Sequence, residues 1–374
     1  MLIQNHPSVS TSTNPAAIGA SIRSSRTGCV GSGAVILLMS GSPGLDLISV
    51  VSSWRHNGRV RYRVAEPFDA GVLGAGNGHQ IYWERVGSPH GKPAVVLHGG
   101  PGSGALPWWR TYFDPGRYSV TLFDQRGCGR SRPLASEPGI DLSVITTQHL
   151  IDDIEALREL HGVDRWLVFG GSWGSTLGLA YAVEHPSRVS ELVFWGVTTT
   201  TPHEVDWLTW SMGEIYPEAF AELRALVPGL EWGGNLPAAY HRLLMSPDAD
   251  LRDRAARSWC AWEERLATLH GPPKPSPRYT DPIFRLGFAR LVTHFFGHHA
   301  FLPPDGISGR IDRLTGIPAV FVRGRLDIAS PLGVAWRLAQ QLPLAALHVV
   351  EGEDHGGADI TGKLLVQATD RFAC

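Results

Sequence analysis

The chain has 374 residues, 33 Lys and Arg against 35 Asp and Glu, a formal charge of −2, and 43% hydrophobic with only 18% charged residues. That balance excludes a basic nucleic-acid binder and a chain disordered throughout, and the length suffices for one large core or a core with an appended domain. Cys29, Cys128, Cys260 and Cys374 lie far apart with no CxxC pair, which argues against a zinc ribbon or a disulfide framework and for reduced thiols in a cytoplasmic protein.

Residues 1–58 are rich in Ser, Gly, Thr and Asn and show no sustained period of 2 or 3.6, so a flexible leader is predicted there. Arg23 and Arg26 ahead of the apolar run 33–39 imitate a secretory signal, but the basic region is long and no small-x-small cleavage site follows. Met39 is an alternative start. The run 33–39 is followed by Ser-Gly-Ser-Pro-Gly and Asp46 and is too short to span a bilayer, so no membrane partner is expected.

From about residue 59 short apolar runs alternate with amphipathic segments, the signature of a mostly parallel α/β sheet flanked by helices. Strands are predicted at 80–86, 94–98, 119–124, 166–169, 191–196, 319–323 and 347–350. The runs VVLH, VTLFD, WLVFG, LVFW and AVFVR are nearly continuous in apolar residues, as strands covered on both faces must be. Leu150, Ile151, Ile154, Leu157 and Leu160 recur at helical spacing and predict a crossover helix. Between about 198 and 312 the alternation stops, and Trp207, Trp210, Trp232, Trp259 and Trp262 stand among helix-like stretches broken by proline. An insertion of this size reads as a helical cap over the sheet's C-terminal edge, where open α/β sheets place their sites. The predicted organisation is a leader at 1–58, a first core part at 59–197, a helical cap at 198–312 and a second core part at 313–374.

The strongest local signal is Gly170-Gly171-Ser172-Trp173-Gly174, directly after a predicted strand and directly before the helix-like stretch 175–184. A serine in a sharp strand-to-helix turn takes a strained backbone conformation, and only tiny residues two positions to either side let strand and helix come so close. A serine hydroxyl needs a base, so a carboxylate and a histidine should follow in the order Ser, Asp, His. Asp327 in Gly-Arg-Leu-Asp and His355 in Glu-Gly-Glu-Asp-His-Gly-Gly each lie on a loop at a strand's C-terminal end. His355 is the candidate base and Asp327 its orienter. Asp354 cannot easily reach the Nδ1 of its own neighbour and reads as a solvated loop acid. Acyl transfer also needs N–H groups aimed at the developing oxyanion; Trp173 offers one and Gly99 or Gly100 of His98-Gly99-Gly100-Pro101-Gly102 the other, a plain Gly-Pro turn being the alternative.

These strings, HGGPGSG from His98, DQRGCGRS from Asp124 to Ser131, GGSWGSTL from Gly170, WCAWEERL from Trp259, GRLD ending at Asp327 and ATDRFA near the C-terminus, resemble the proline iminopeptidase family of α/β-hydrolases. The resemblance runs from about 61 to 373. It implies an α/β-hydrolase fold with an inserted helical cap, Ser172, Asp327 and His355 as the catalytic triad, and removal of an N-terminal residue, typically proline, from peptides with no metal or other cofactor. It also implies that Trp262 and Glu263 form the substrate-binding motif of the cap, Glu263 holding the free α-ammonium. Glu264 reads as facing solvent or pairing with a cap arginine.

Two departures from the family pattern bear on substrate. Val292, in Ala-Arg-Leu-Val-Thr-His-Phe-Phe, stands where a second amine-binding glutamate is expected, and losing a charge-assisted contact costs about 1.5–3 kcal/mol, or roughly 10- to 100-fold in transition-state binding. Glu204, Glu214 and Glu218 could compensate but read as surface helix charges. Leu326 and Ser330 replace a tyrosine and a cysteine of the family string. The expected function is a serine aminopeptidase releasing an N-terminal proline or small apolar residue; the alternative is an esterase or amidase on substrates without a free α-amine, and an idle binding module is a further rival. Asp is the elbow residue in epoxide hydrolases and haloalkane dehalogenases, so Ser172 disfavours those. Among the remaining features, His294, His298 and His299 read as aromatic packing rather than a metal site, Asp124 and Arg126 as an internal ion pair, and Cys128 as a small buried filler. Trp207, Trp210 and Trp262 suit either helix packing or an apolar pocket for a proline ring. Oligomeric state is left open.

Overall fold

Strands whose every residue is apolar need cover on both faces, and the sheet provides it. The computed structural model describes residues 48–51, 61–269 and 275–373. Among them β1 (Ile48–Val51), β2 (Pro67–Gly74), β3 (Gln80–Gly87), β4 (Lys92–Leu97), β5 (Tyr118–Phe123), β6 (Trp166–Gly171), β7 (Val189–Trp195), β8 (Ala319–Gly324) and β9 (Ala345–Val350) form one sheet in the order β1-β9-β8-β7-β6-β4-β5-β3-β2. β3 runs antiparallel to β2 and β5, and the other neighbours are parallel. β5, β6 and β8 are buried at every position. Alternate residues divide between two cores: Val95, Leu97 and Val168 pack on one face, Ala94, Val96 and Phe169 on the other.

β1 lies inside the stretch predicted as leader, and that expectation is corrected for these four residues. Ile48 pairs with Leu347 and Val51 with Val350, and Ser49 Oγ is 2.6 Å from His348 Nδ1. Ile-Ser-Val-Val is a strand sequence, but four residues are too few to display a period. The rest of the predicted leader at 1–47 and 52–58 lies outside the described residues.

The crossover helix is α1 (Thr147–Leu160), capped by the Thr146 hydroxyl and buried through Leu150, Ile151, Ile154 and Leu157. Leu160, expected on the same stripe, is 51% exposed at the last turn. α2 (Trp173–Glu184) follows β6 directly. Between β7 and β8 come α3 (Pro202–Thr209), α4 (Pro217–Arg224), α5 (Leu236–Leu244), α6 (Ala249–Leu266) and α7 (Pro282–Gly297). The prolines that interrupt the sequence pattern open α3, α4 and α7 and stand second in α5, where a missing N–H costs no helical hydrogen bond. Asp248 and Asp281 cap α6 and α7 through their side chains. These five helices bury an apolar cluster of their own that includes Trp210, Tyr240, Trp259, Trp262 and Val292. α8 (Leu332–Gln341) and α9 (Asp359–Phe372) complete the cover of the sheet. Among the described residues no helix is long and apolar enough to cross a membrane.

Candidate active site

β6 leads directly into Ser172, whose φ of 54° and ψ of −127° are strained for any residue with a Cβ. A Cβ on Gly170 would lie 2.8 Å from the Gly174 carbonyl oxygen, and one on Gly174 only 2.0 Å from that of Leu97. Glycine at both positions is therefore what lets β6, α2 and β4 converge on the serine. The Ser172 N–H donates to Trp195 O at 3.1 Å, holding the turn to β7.

The loops after β8 and β9 bring Asp327 and His355 to this serine. His355 Nδ1 is 3.0 Å from Asp327 Oδ1, and its Nε2 is 3.1 Å from Ser172 Oγ. A proton on Nδ1, facing the carboxylate, leaves the Nε2 lone pair to accept from the serine hydroxyl. Asp327 also accepts the Ala329 N–H at 3.1 Å and lies 3.2 Å from Arg323 Nη1. Burial alone would raise the Asp327 pKa, but the His355 and Arg323 charges and its hydrogen bonds hold it below the usual value. Burial would lower that of His355, yet the charge and hydrogen bond of Asp327 outweigh it and hold the imidazole above its ordinary value. The loop is fixed from below by buried Glu353, which accepts from Ala358 N, Ile360 N and Thr361 N at the start of α9. Asp354 is not a free solvated acid: it accepts the Thr268 hydroxyl at 2.6 Å, beyond the end of α6.

Gly99 backs directly on the nucleophile, since a Cβ there would lie 3.4 Å from Ser172 Cβ. Trp173 opens α2, so its N–H has no acceptor within the helix. One side chain ties these two walls together. Gln125 donates from Nε2 to His98 O and accepts the Trp173 indole N–H on Oε1, both at 3.0 Å. Its own N–H reaches His98 Nε2 at 3.1 Å, which directs the other ring nitrogen's proton to Gly99 O at 3.0 Å; burial pushes the His98 pKa down to about 4. Sequence reasoning missed Gln125, whose one signal is its place immediately after a strand in DQRG. The expected Asp124–Arg126 pair is not formed. Asp124 accepts from Arg130 Nε at 2.7 Å and Ala105 N at 2.6 Å, while Arg126 grips Asp153 at 2.7 and 2.8 Å.

Ser172, His355, Gly99, Gly100 and Trp173 share the wall of a cavity of about 400 Å³ with Glu263. Glu263, on α6, accepts the Trp259 indole N–H at 3.1 Å, and burial pushes its pKa up to about 7. Among the described residues no lysine or arginine pairs with it. Trp262 is not on the wall: its indole N–H donates to Leu208 O at 3.1 Å and its ring packs on Phe220. The Trp207 and Trp210 indoles likewise donate to carbonyls, of Ile328 and Gly234. The apolar wall comes instead from Trp108, Trp195, Phe288 and Phe296, contributed by elements far apart in sequence.

The alpha/beta hydrolase fold family matches residues 92–358. A probable proline iminopeptidase of Streptomyces coelicolor is 50% identical over 316 residues, 83% of this chain and 97% of its own length. The proline iminopeptidase of Arabidopsis thaliana is 40% identical over 314 residues, 83% of this chain and 81% of its own. The chain belongs to the proline iminopeptidase family. A crystal structure of a Mycobacterium smegmatis proline iminopeptidase shares the fold, with a TM-score of 0.52 over 82% of this chain and 99% of that one at 23% identity.

Against the proline iminopeptidase pattern, Val292 is fully buried one turn from both Phe288 and Phe296, in the apolar cluster of the inserted helices. Glu204 is no surface charge but 1% exposed, accepting from Thr198, Thr199, Thr201 and, at 2.9 Å, Ser330 Oγ. It forms a capping box with Thr201 at the start of α3. Ser330, where the family string carries cysteine, thus links that cap to the Asp327 loop. Glu214 and Glu218 are exposed. Glu264 lines the cavity and accepts the Ser276 N–H at 2.5 Å, rather than facing solvent or an arginine. His294 packs against Phe295 and Phe301 and donates from Nε2 to Ile145 O at 3.0 Å, and Cys128 is buried beside Gln125 O.

Proposed function

We propose that this protein is a serine aminopeptidase that releases an N-terminal proline, or a small apolar residue, from peptides. Ser172 Oγ attacks the scissile carbonyl while His355 Nε2 takes its proton, oriented by Asp327. The N–H groups of Trp173 and of Gly99 or Gly100 hold the oxyanion. Collapse of the tetrahedral intermediate breaks the C–N bond, His355 returns the proton to the leaving amine, and water then hydrolyses the prolyl ester on Ser172 by the same steps. Residues 198–312 act as the cap that closes over this chemistry, and the buried thiols of Cys128 and Cys260 suit the cytoplasm.

The observation that carries the reading is Glu263: a carboxylate with no cation of its own, on the wall that also holds Ser172 and His355, is the group a substrate α-ammonium needs. The test is kcat/KM for proline p-nitroanilide against its N-acylated counterpart and a p-nitrophenyl ester, with Ser172→Ala as blank. A strong preference for the free amine supports the aminopeptidase. Val292, which leaves Glu263 without the family's second glutamate, favours the alternative of an esterase or amidase, and fast ester turnover with no benefit from the free amine would establish it.

A further inference from the structure

Arg278 lies on the turn Pro277–Thr280 within the helical insertion, on the same cavity wall as Ser172 and Glu263. Its guanidinium is held in place twice: Nη2 donates to the Ser103 carbonyl, and the group lies 4.0 Å from the Phe284 ring centroid. Ser103 in turn donates its N–H to Gly99 O at 3.2 Å, so the arginine is anchored to the loop that backs on the nucleophile. Among the described residues no carboxylate lies within ion-pair distance of Arg278, and Ser103 O is its one hydrogen-bond acceptor. The other carboxylates on the wall are engaged elsewhere: Glu264 accepts the Ser276 N–H, and Glu204 accepts from Thr198, Thr199, Thr201 and Ser330. Burial pulls the Arg278 pKa below the usual arginine value, as expected for a cation desolvated without an anion at contact. A guanidinium carries five donors in a planar fork that fits a carboxylate bidentately.

The cavity wall therefore carries Glu263, whose one partner is the Trp259 indole N–H, and a single guanidinium, Arg278, with no carboxylate at contact. We propose that Arg278 is a specificity-determining residue that binds the C-terminal carboxylate of the leaving amino acid or dipeptide, so that the substrate class is short free-acid peptides. This rests on the aminopeptidase reading, in which Glu263 takes the opposite end of the same zwitterion. An extended chain advances about 3.3–3.6 Å per residue, so only a carboxylate within a residue or two of the scissile bond falls inside a cavity of this size. A leaving group that short carries its terminal carboxylate whatever its sequence, whereas an acidic side chain is present in few.

The experiment compares kcat/KM for prolyl-alanine and prolyl-alaninamide in the wild type, Arg278→Gln and Arg278→Lys. Glutamine keeps a donor for Ser103 O but removes the charge. The wild type should favour the free acid by roughly 10- to 100-fold, the magnitude of one charge-assisted contact. In Arg278→Gln that ratio should fall to about one, and Arg278→Lys should restore part of it. Equal rates on acid and amide in the wild type, or a ratio unmoved by Arg278→Gln, overturn the carboxylate site while leaving the aminopeptidase standing. Turnover of an ester with neither peptide cleaved overturns both.

Discussion

A carboxylate held on a cavity wall without a cation lowers the stability of the free protein, and Glu263 is such a group. Its pKa in the fold, about 7, is above the 4.5 of an ordinary glutamate. Stability tied to a raised pKa is fully present below the unfolded value and is lost as pH rises through the folded one, so the cost of Glu263 grows between about pH 4.5 and 7. Glu263→Gln should therefore raise the unfolding free energy at pH 8 by on the order of 1–2 kcal/mol once solvent at the cavity mouth is allowed for, and Tm with it, with the gain vanishing near pH 4; thermal denaturation at the two pH values checks it. The same variant should lower kcat/KM on free-amine proline substrates roughly 10- to 100-fold. His355 carries a second pH prediction. It faces Asp327, Arg323 and Glu263, and the buried Arg323 cation works against its protonation. Only the neutral imidazole accepts the Ser172 proton, so ester turnover should rise with pH through a value above that of an ordinary histidine. Arg323→Gln removes the opposing cation and should move this acid limb further up, an effect that a mere loss of packing would not produce.

At the scale of elements, the turn between β6 and α2 has the least freedom. Gly174→Ala would place its Cβ 2.0 Å from Leu97 O, a backbone atom of β4 that cannot swing aside. Helix and strand must part, carrying Ser172 away from His355, and kcat should fall more than about 100-fold while the circular dichroism stays that of a folded protein. The same constraint made this element legible in sequence: strain at one residue dictates glycine at fixed offsets, so the signal is local. Asp327 and His355 were legible because parallel strands must end on one rim. What stayed hidden depends on tertiary partners. Asp124 and Arg126 stand two apart in a loop, and nothing local tells that they turn to Arg130 and Asp153 respectively. Trp262 carries the right neighbour, Glu263, yet i and i+1 on α6 face different ways, which puts the glutamate on the cavity and the indole in the core. β1 was missed because four residues in register with β9 owe their place to pairing, not to a period.

Across the whole molecule, the inserted helices touch the core by hydrogen bonds that land beside each part of the candidate site. Trp207 Nε1 donates to Ile328 O, next to Asp327; Arg278 donates to Ser103 O, on the loop of Gly99; Thr268 Oγ1 donates to Asp354, next to His355. The last of these ties the stretch that follows Glu263, five residues before Thr268 in the chain, to the loop of His355. Chemistry on an ester without an amine needs only groups of the core, whereas an aminopeptidase needs the insertion and the core in register. Thr268→Val removes the hydroxyl with little change of shape and should lower kcat/KM on proline p-nitroanilide by roughly 2- to 10-fold, the range of one ordinary hydrogen bond, because the contact sets a spacing and does not itself touch substrate. Turnover of a p-nitrophenyl ester should fall by less, because Ser172, His355 and Asp327 are all carried by loops of the sheet. An equal fall on both substrates would place the effect of this contact on the His355 loop itself rather than on the distance between Glu263 and His355.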